Sequence, residues 1–182
     1  MILKPGDIFC VTYDPAKDEE GPSLLQTVLS FGIQGIETFN DIDGKAQMTH
    51  CGMIVSPVGK TFEALWTYRS QNIYQAYGGQ PILIGRHRKM SQAKAHMACY
   101  YANERFGGEK YPAWKLPLFA IAPRLIKYLP GKPVCSELVF WSLCRVGLID
   151  HWKGVTPSYV ADAIRRWREF QVVYEGIMPR NK

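Results

Sequence analysis

A cysteine that opens an apolar helix constrains this chain more than any other feature. Residues 129–133 contain two prolines and a glycine, which no helix interior tolerates, and an apolar run follows at once with Cys135 at its start. We therefore expect a helix over residues 135–146. A thiol at a helix N-terminus faces unpaired backbone N–H groups, which favour the reactive thiolate. The placement indicates a nucleophile, and the alternative is a small, inert core residue.

A histidine that could partner this thiol begins a predicted strand earlier in the chain. His50 opens a short, largely apolar run, and a turn over residues 56–59 joins it to a second predicted strand over 61–66, which contains Glu63. In such a hairpin the carboxylate can approach the imidazole and orient it. Cys135, His50 and Glu63 are thus the residue types of a nucleophile, a base and an orienting acid.

The remaining cysteines and histidines fit this chemistry less well. Cys51 is expected on the opposite face of its strand from His50, because successive strand residues alternate. Cys144 is expected to be inert. The five cysteines form no C-x-x-C pair and have no regular spacing, so neither a zinc site nor a disulfide framework is indicated, and a reduced compartment is expected. Three histidines rank below His50 because they lie in no matching motif: His87, His96 and His151.

Length and charge limit the function classes. A chain of 182 residues, 47% of them hydrophobic, is most simply a single domain over residues 1–182. The net charge of +6 is dispersed except at residues 86–89 and 165–168. These clusters suit either a solvated surface, which we favour, or an anionic partner such as an envelope surface. They are too short for the basic stripe with interleaved aromatics of a nucleic-acid-binding protein, so no specific nucleic acid is expected.

The N-terminus carries no basic segment followed by a long apolar run, so no signal peptide is visible. A cytoplasmic location is the default expectation, and delivery to the cell envelope is the alternative. The longest apolar stretch, near residues 116–126, contains two prolines and an arginine and is too short to span a bilayer. The surrounding segment 114–129 is interpreted as a packed insertion, with a lid or groove wall as the alternative.

Apolar periodicity and turn residues predict the other elements. The predicted strands cover residues 7–13, 81–86 and 169–174. The predicted helices cover residues 23–36, 91–106 and 156–164, and a turn is expected at 40–44.

Four short motifs follow one another along residues 4–164: Pro5-Gly6-Asp7-Ile8, Thr49-His50-Cys51-Gly52, Phe62-Glu63-Ala64 and Val134-Cys135-Ser136-Glu137-Leu138-Val139. In this order they resemble the permuted NlpC/P60-type papain-like cysteine hydrolases, the YiiX/YebB-like branch. Ordinary papain-like enzymes have the cysteine helix before the histidine strand, whereas here His50 precedes Cys135.

The resemblance implies an α+β fold: a circularly permuted papain-like domain, with a mainly antiparallel sheet or partial barrel and the nucleophile helix packed on it. It implies that Cys135 is the nucleophile, His50 the general base and Glu63 the residue that orients His50. The backbone N–H of Cys135 would be one oxyanion donor. Tyr111 would be a second donor or a substrate clamp, although it is followed here by Pro-Ala-Trp rather than by an acidic residue. Glu137 is explained by the helix dipole alone.

The function expected from this resemblance is hydrolysis of an amide or related acyl bond through a cysteine thioester. The implied substrates are small amides, peptides or lipid-like molecules, including cell-wall peptides and lysine-containing amides. No metal or organic cofactor is implied, and the sequence does not indicate an oligomeric state. Two alternatives stay open: an acyltransferase with the same three residues, and a noncatalytic papain-like module that binds cell-wall fragments or lipid.

Overall fold

The computed structural model describes residues 1–12, 48–65, 67–115, 128 and 130–180. Within these ranges the chain forms six strands, four α-helices and one short 3₁₀ helix. In chain order the elements are β1 (Ile8–Val11), β2 (His50–Ile54), β3 (Thr61–Ala64), β4 (Tyr68–Arg69), α1 (Ile73–Tyr77), β5 (Pro81–His87), α2 (Gln92–Phe106), the 3₁₀ helix (Ala113–Lys115), α3 (Cys135–Arg145), α4 (Pro157–Arg166) and β6 (Phe170–Ile177).

The strands form one open sheet in the order β4-β3-β2-β1-β5-β6. Every pairing between these strands is antiparallel. The predicted α+β class with an antiparallel sheet is therefore confirmed, and the described part of the sheet is open rather than a partial barrel. The first strand, β1, lies inside the sheet between β2 and β5.

Both faces of the sheet are covered, which explains why β1 and β5 are almost wholly apolar. Because side chains alternate along a strand, Ile8 and Leu83 pack on one face, with residues of α3 and α4. Phe9 and Ile82 pack on the other face, with residues of α1. The sheet thus separates two apolar layers, and α3 crosses the end of the sheet that carries β2 and β3.

Two of the predicted helices, α2 and α4, begin at polar caps. The Ser91 hydroxyl accepts the Lys94 N–H at 3.2 Å at the start of α2, and the Thr156 hydroxyl accepts the Tyr159 N–H at 3.1 Å at the start of α4. Pro157 occupies the first turn of α4, where a missing N–H does no harm. These helices and the strands β1, β2, β3, β5 and β6 match the predicted elements within a few residues.

Three elements, β4, α1 and the 3₁₀ helix, were not predicted, and several predictions cannot be compared. β4 has two residues and α1 has five, which is too short for either to show a period. The predicted helix over 23–36, the turn at 40–44 and most of the segment 114–129 lie outside the described residues. None of the described helices has the length and apolar character needed to cross a bilayer.

Candidate active site

Cys135 is the first residue of α3, and its position is set by the backbone around it. Val134 ends the irregular segment, and its carbonyl accepts the Leu138 N–H at 2.7 Å, which starts the helix. The Glu137 carboxylate accepts the Val134 N–H at 3.1 Å. Cys135 itself is 6% exposed, so its thiol lies just below the surface at a helix N-terminus. This is the environment that the sequence predicted for it.

His50 and Glu63 meet across the β2–β3 pair. The His50 Nε2 atom lies 2.7 Å from Glu63 Oε2, and both side chains are buried. The same carboxylate also accepts hydrogen bonds from the hydroxyls of Thr61 and Tyr77. Three donors leave the Glu63 carboxylate little freedom to rotate. It can therefore hold the imidazole ring in one orientation.

The imidazole of His50 is also hydrogen-bonded to the Cys135 thiol, which completes a chain from Glu63 to Cys135. Burial alone would lower the pKa of His50, but hydrogen bonds and charge attraction from Cys135 and Glu63 outweigh burial and raise it from 6.5 to about 10. A histidine with a pKa this high is an imidazolium at neutral pH. An imidazolium beside a thiol favours the thiolate.

Two tyrosines interact with Cys135 or with the segment that precedes it. Burial and the charge of Cys135 raise the pKa of Tyr111 well above its usual value, and its hydroxyl is within hydrogen-bonding reach of both the thiol and the N–H of Cys135. The Tyr68 hydroxyl donates to the carbonyl of Pro133 in the segment before α3. Burial, with the charges of Glu137 and Cys135, raises the pKa of Tyr68 as well, so both phenols stay protonated and can donate.

The other cysteines have different surroundings. Burial raises the pKa of Cys99 to about 11, and burial together with the Asp150 charge raises that of Cys144 to about 11. The thiol of Cys51 contacts Cys10, 3.2 Å away, on the face of the sheet covered by α3 and α4, whereas His50 lies beside Phe9 on the other face. The predicted alternation along β2 is therefore confirmed.

The other histidines lie away from this chain of hydrogen bonds. His87 is buried against Phe170, and burial lowers its pKa. His96 is exposed on α2. His151 is exposed, with its Nε2 atom 3.4 Å from the Tyr159 hydroxyl. None of the three contacts Cys135 or Glu63 in the described structure.

Several residues that shape the site were missed by the sequence analysis. Thr61 could have been found, because it lies two residues before Glu63 and therefore on the same face of β3. Tyr77 could not, because it belongs to the unpredicted helix α1 and meets Glu63 only through tertiary packing. Lys115 is buried and paired with Glu137. Its burial could not be predicted, because a lysine is almost never fully buried unless the fold gives it a partner.

Arginines of the two basic clusters, residues 86–89 and 165–168, donate hydrogen bonds to other groups of the chain. Arg86 donates to both carboxylate oxygens of Asp7, at 2.6 and 2.8 Å. Arg165 donates to Glu175 at 2.7 Å, and Arg88 donates to the carbonyl of Phe170 at 3.1 Å. Much of the basic charge is thus used to fasten one element to another.

The described residues include no group of three or more His, Cys, Asp or Glu side chains placed to hold a metal ion. The reactive groups at the site are the Cys135 thiol, the His50 imidazole, the Glu63 carboxylate and the Tyr111 phenol.

No model of a known protein family matches the chain, and no curated protein matches it. Among solved structures, the chain is similar to the crystal structure of the metalloprotein YiiX from Escherichia coli O157:H7, with 13% sequence identity and a TM-score of 0.49. The similarity covers 97% of this chain and 99% of that one. Identity and score at this level assign neither a family nor an activity, so the site is interpreted from its own geometry.

Proposed function

We propose that the protein is a cysteine hydrolase that cleaves an amide or related acyl bond through a thioester on Cys135. The observation that carries this proposal is the continuous hydrogen-bonded chain from the Glu63 carboxylate through His50 to the thiol. The order of the four sequence motifs supports the same reading, as a permuted papain-like domain. Nucleophile, base and orienting acid each have a residue of the right type.

In the first step, the Cys135 sulfur attacks the carbonyl carbon and a carbon–sulfur bond forms. His50 enters this step as the imidazolium and gives its proton to the leaving nitrogen, after which the carbon–nitrogen bond breaks. We assign the stabilisation of the negative charge on the carbonyl oxygen to the Cys135 N–H and the Tyr111 hydroxyl, and the closeness of Tyr111 to Cys135 supports this assignment. The products of this step are a free amine and an acyl thioester.

In the second step, neutral His50 takes a proton from water, and the resulting hydroxide attacks the thioester. The carbon–sulfur bond breaks, the carboxylic acid leaves, and the thiolate–imidazolium pair is restored. Glu63 holds the imidazole ring in place throughout both steps. Small amides, peptides and lipid-like amides are the substrate class that we propose.

The first test is the pH dependence of iodoacetamide alkylation at all five cysteines, read by mass spectrometry. We expect Cys135 to react well below pH 8.5, the usual pKa of a free thiol, because its thiolate has an imidazolium partner. His50→Ala should move that midpoint upward. The matched control is His96→Ala, which removes an exposed histidine on α2 and should change nothing. Equal reactivity of Cys135 and the other thiols, with no effect of His50→Ala, would contradict the proposal.

The second test looks for the thioester itself. Aminomethylcoumarin amides of a lysyl and of a medium-chain fatty acyl group are mixed with the protein, and intact mass is followed with released coumarin. We expect a transient acyl adduct on Cys135, which Cys135→Ser abolishes and Cys144→Ser, a change on the same helix, leaves intact. Coumarin release that survives Cys135→Ser would exclude Cys135 as the nucleophile.

A further inference from the structure

A buried ion pair joins Lys115 of the 3₁₀ helix to Glu137 in the first turn of α3, the helix that carries Cys135. The Lys115 side chain is 1% exposed and Glu137 is fully buried. The Lys115 Nζ atom lies 3.4 Å from Glu137 Oε2 and donates to the carbonyl of Lys132 at 2.7 Å. A buried ammonium is costly unless it is paired and hydrogen-bonded, so this arrangement needs a structural reason.

Both partners of this pair grip the segment that leads into the cysteine. Lys115 holds the carbonyl of Lys132, and Glu137 accepts the N–H of Val134 at 3.1 Å. The other oxygen of Glu137 accepts the Gly154 N–H at 2.9 Å, which ties the same point to the loop before α4. Pro133 is held as well, because the Tyr68 hydroxyl donates to its carbonyl.

The pair also sets the charge near the thiol. Glu137 lies two residues from Cys135 in the first turn of α3, and a carboxylate so close disfavours a second negative charge. Lys115 is the cation that offsets it. The helix dipole alone, which the sequence analysis used to explain Glu137, does not account for a fully buried carboxylate with three partners.

We propose that Lys115 is a positioning residue for the Cys135 thiol, fixing the segment before α3 and cancelling the charge of Glu137 so that the thiolate is favoured. This inference deepens the proposed function and rests on it for its role in hydrolysis. The titratable side chains that act with Cys135 from neighbouring elements include His50 from β2, Tyr68 from β4 and Tyr111, and Glu137 lies two residues along α3 itself. Lys115 contacts Glu137.

The test is the midpoint pH of Cys135 alkylation by iodoacetamide in the full chain. Lys115→Met should raise the midpoint by about one pH unit, because an unbalanced Glu137 opposes the thiolate. Lys115→Arg should leave the midpoint close to the wild-type value, since it keeps the cation. Lys115→Met combined with Glu137→Gln should return the midpoint toward the wild-type value, although packing at Lys115 is still changed.

The matched control is Lys132→Met, on the same segment. The Lys132 side chain pairs with Glu109 at the surface, and this change keeps the backbone carbonyl that Lys115 binds. It should leave the midpoint within about 0.2 pH units, the shift expected of an exposed charge. Thermal unfolding of each variant reports whether it is folded, and the double variant, which leaves no unpaired charge, provides the comparison where Lys115→Met unfolds.

The two proposals fail in different ways. An ordinary midpoint in the wild-type protein would contradict the activated thiol, and with it the hydrolase. An unchanged midpoint in Lys115→Met, or a double variant shifted further than the single one, would overturn the role of Lys115, whatever the wild-type value is.

Discussion

The Glu63 carboxylate acts together with Cys135 to raise the pKa of His50. It accepts from Thr61, Tyr77 and His50, and it is fully buried. Donors that are themselves packed hold the carboxylate in place, and a carboxylate fixed beside the ring favours the imidazolium over the neutral ring. The protonation of His50 therefore depends on Glu63 as well as on the Cys135 thiol.

A titration of His50 by ¹⁵N-edited NMR tests this electrostatic chain. In the wild-type protein the ring should stay protonated until about pH 10. Glu63→Gln should lower that midpoint by about one unit or more, because it removes a buried negative charge. The matched change Tyr77→Phe removes a neutral donor to the same oxygen and should move the midpoint much less. An equal shift in both variants would mean that the hydrogen-bond network, not the charge of Glu63, holds the proton.

The raised pKa of His50 makes the stability of the fold depend on pH. The pKa of His50 is about 10 in the folded chain and 6.5 unfolded, so protonation of His50 stabilises the fold fully below pH 6.5. This contribution is lost as the pH rises toward 10. Glu63→Gln should therefore reduce the dependence of stability on pH in that window.

The β2–β3 pair brings the imidazole and the carboxylate together because its backbones approach closely. Gly52 is paired with Glu63 across the two strands. A Cβ atom at Gly52 would lie 2.5 Å from the Phe9 ring and 3.0 Å from the Cβ of Glu63. A glycine is needed here for space, since any side chain would push the ring of Phe9 or the carboxylate of Glu63 out of place.

Gly52→Ala should therefore damage both stability and the site. Overpacking of this kind costs about 1–3 kcal/mol of the free energy of unfolding, and the displaced Glu63 should slow Cys135 alkylation at neutral pH. Gly85→Ala is the matched control, because its Cβ would lie 2.4 Å from Ile164 on α4, on the other face of the sheet. It should cost similar stability, measured by urea unfolding, with Cys135 reactivity retained. Equal loss of reactivity in both would show a general effect of destabilisation.

The molecule is held together across its sheet by a polar link as well as by its apolar layers. Asp7, just before β1, is fully buried, and Arg86 near the end of β5 donates to both of its carboxylate oxygens. The Lys4 N–H donates to the same carboxylate at 2.8 Å. The link fastens the N-terminal residues to β1 and β5, two neighbouring strands of the sheet.

Arg86→Met should destabilise the whole fold because it leaves the Asp7 carboxylate buried without a cation. The expected loss is about 2–3 kcal/mol in the free energy of unfolding, near the lower limit for a broken buried pair since Arg86 is partly exposed. Arg165→Met breaks the more exposed pair with Glu175 and should cost less than about 1 kcal/mol.

Chemical denaturation followed by circular dichroism measures both losses. The double change Asp7→Asn with Arg86→Met should recover part of the stability, because no buried charge is left unpaired. Equal losses for Arg86→Met and Arg165→Met would show that burial of Asp7 does not increase the stability lost when its arginine partner is removed.

Much of the candidate site follows from local sequence. A proline- and glycine-rich segment before an apolar run defines the start of α3 at Cys135, and a short apolar strand places His50 at the start of β2. Ser91 and Thr156 likewise define the starts of α2 and α4. These features depend on backbone propensity, capping and alternation, which act over a few residues and can therefore be read directly from the chain.

The partners that complete the site depend on contacts between distant residues. Tyr77 reaches Glu63 from a five-residue helix, and Lys115, in the 3₁₀ helix, meets Glu137 on α3. Neither contact has a period or a motif, because burial of a hydroxyl or an ammonium is compensated only by partners that the fold brings together. The sequence by itself thus determined most of the described helices and strands and the order of the thiol and imidazole along the chain. Only the tertiary structure decided which buried groups share hydrogen bonds and so set the charge on His50.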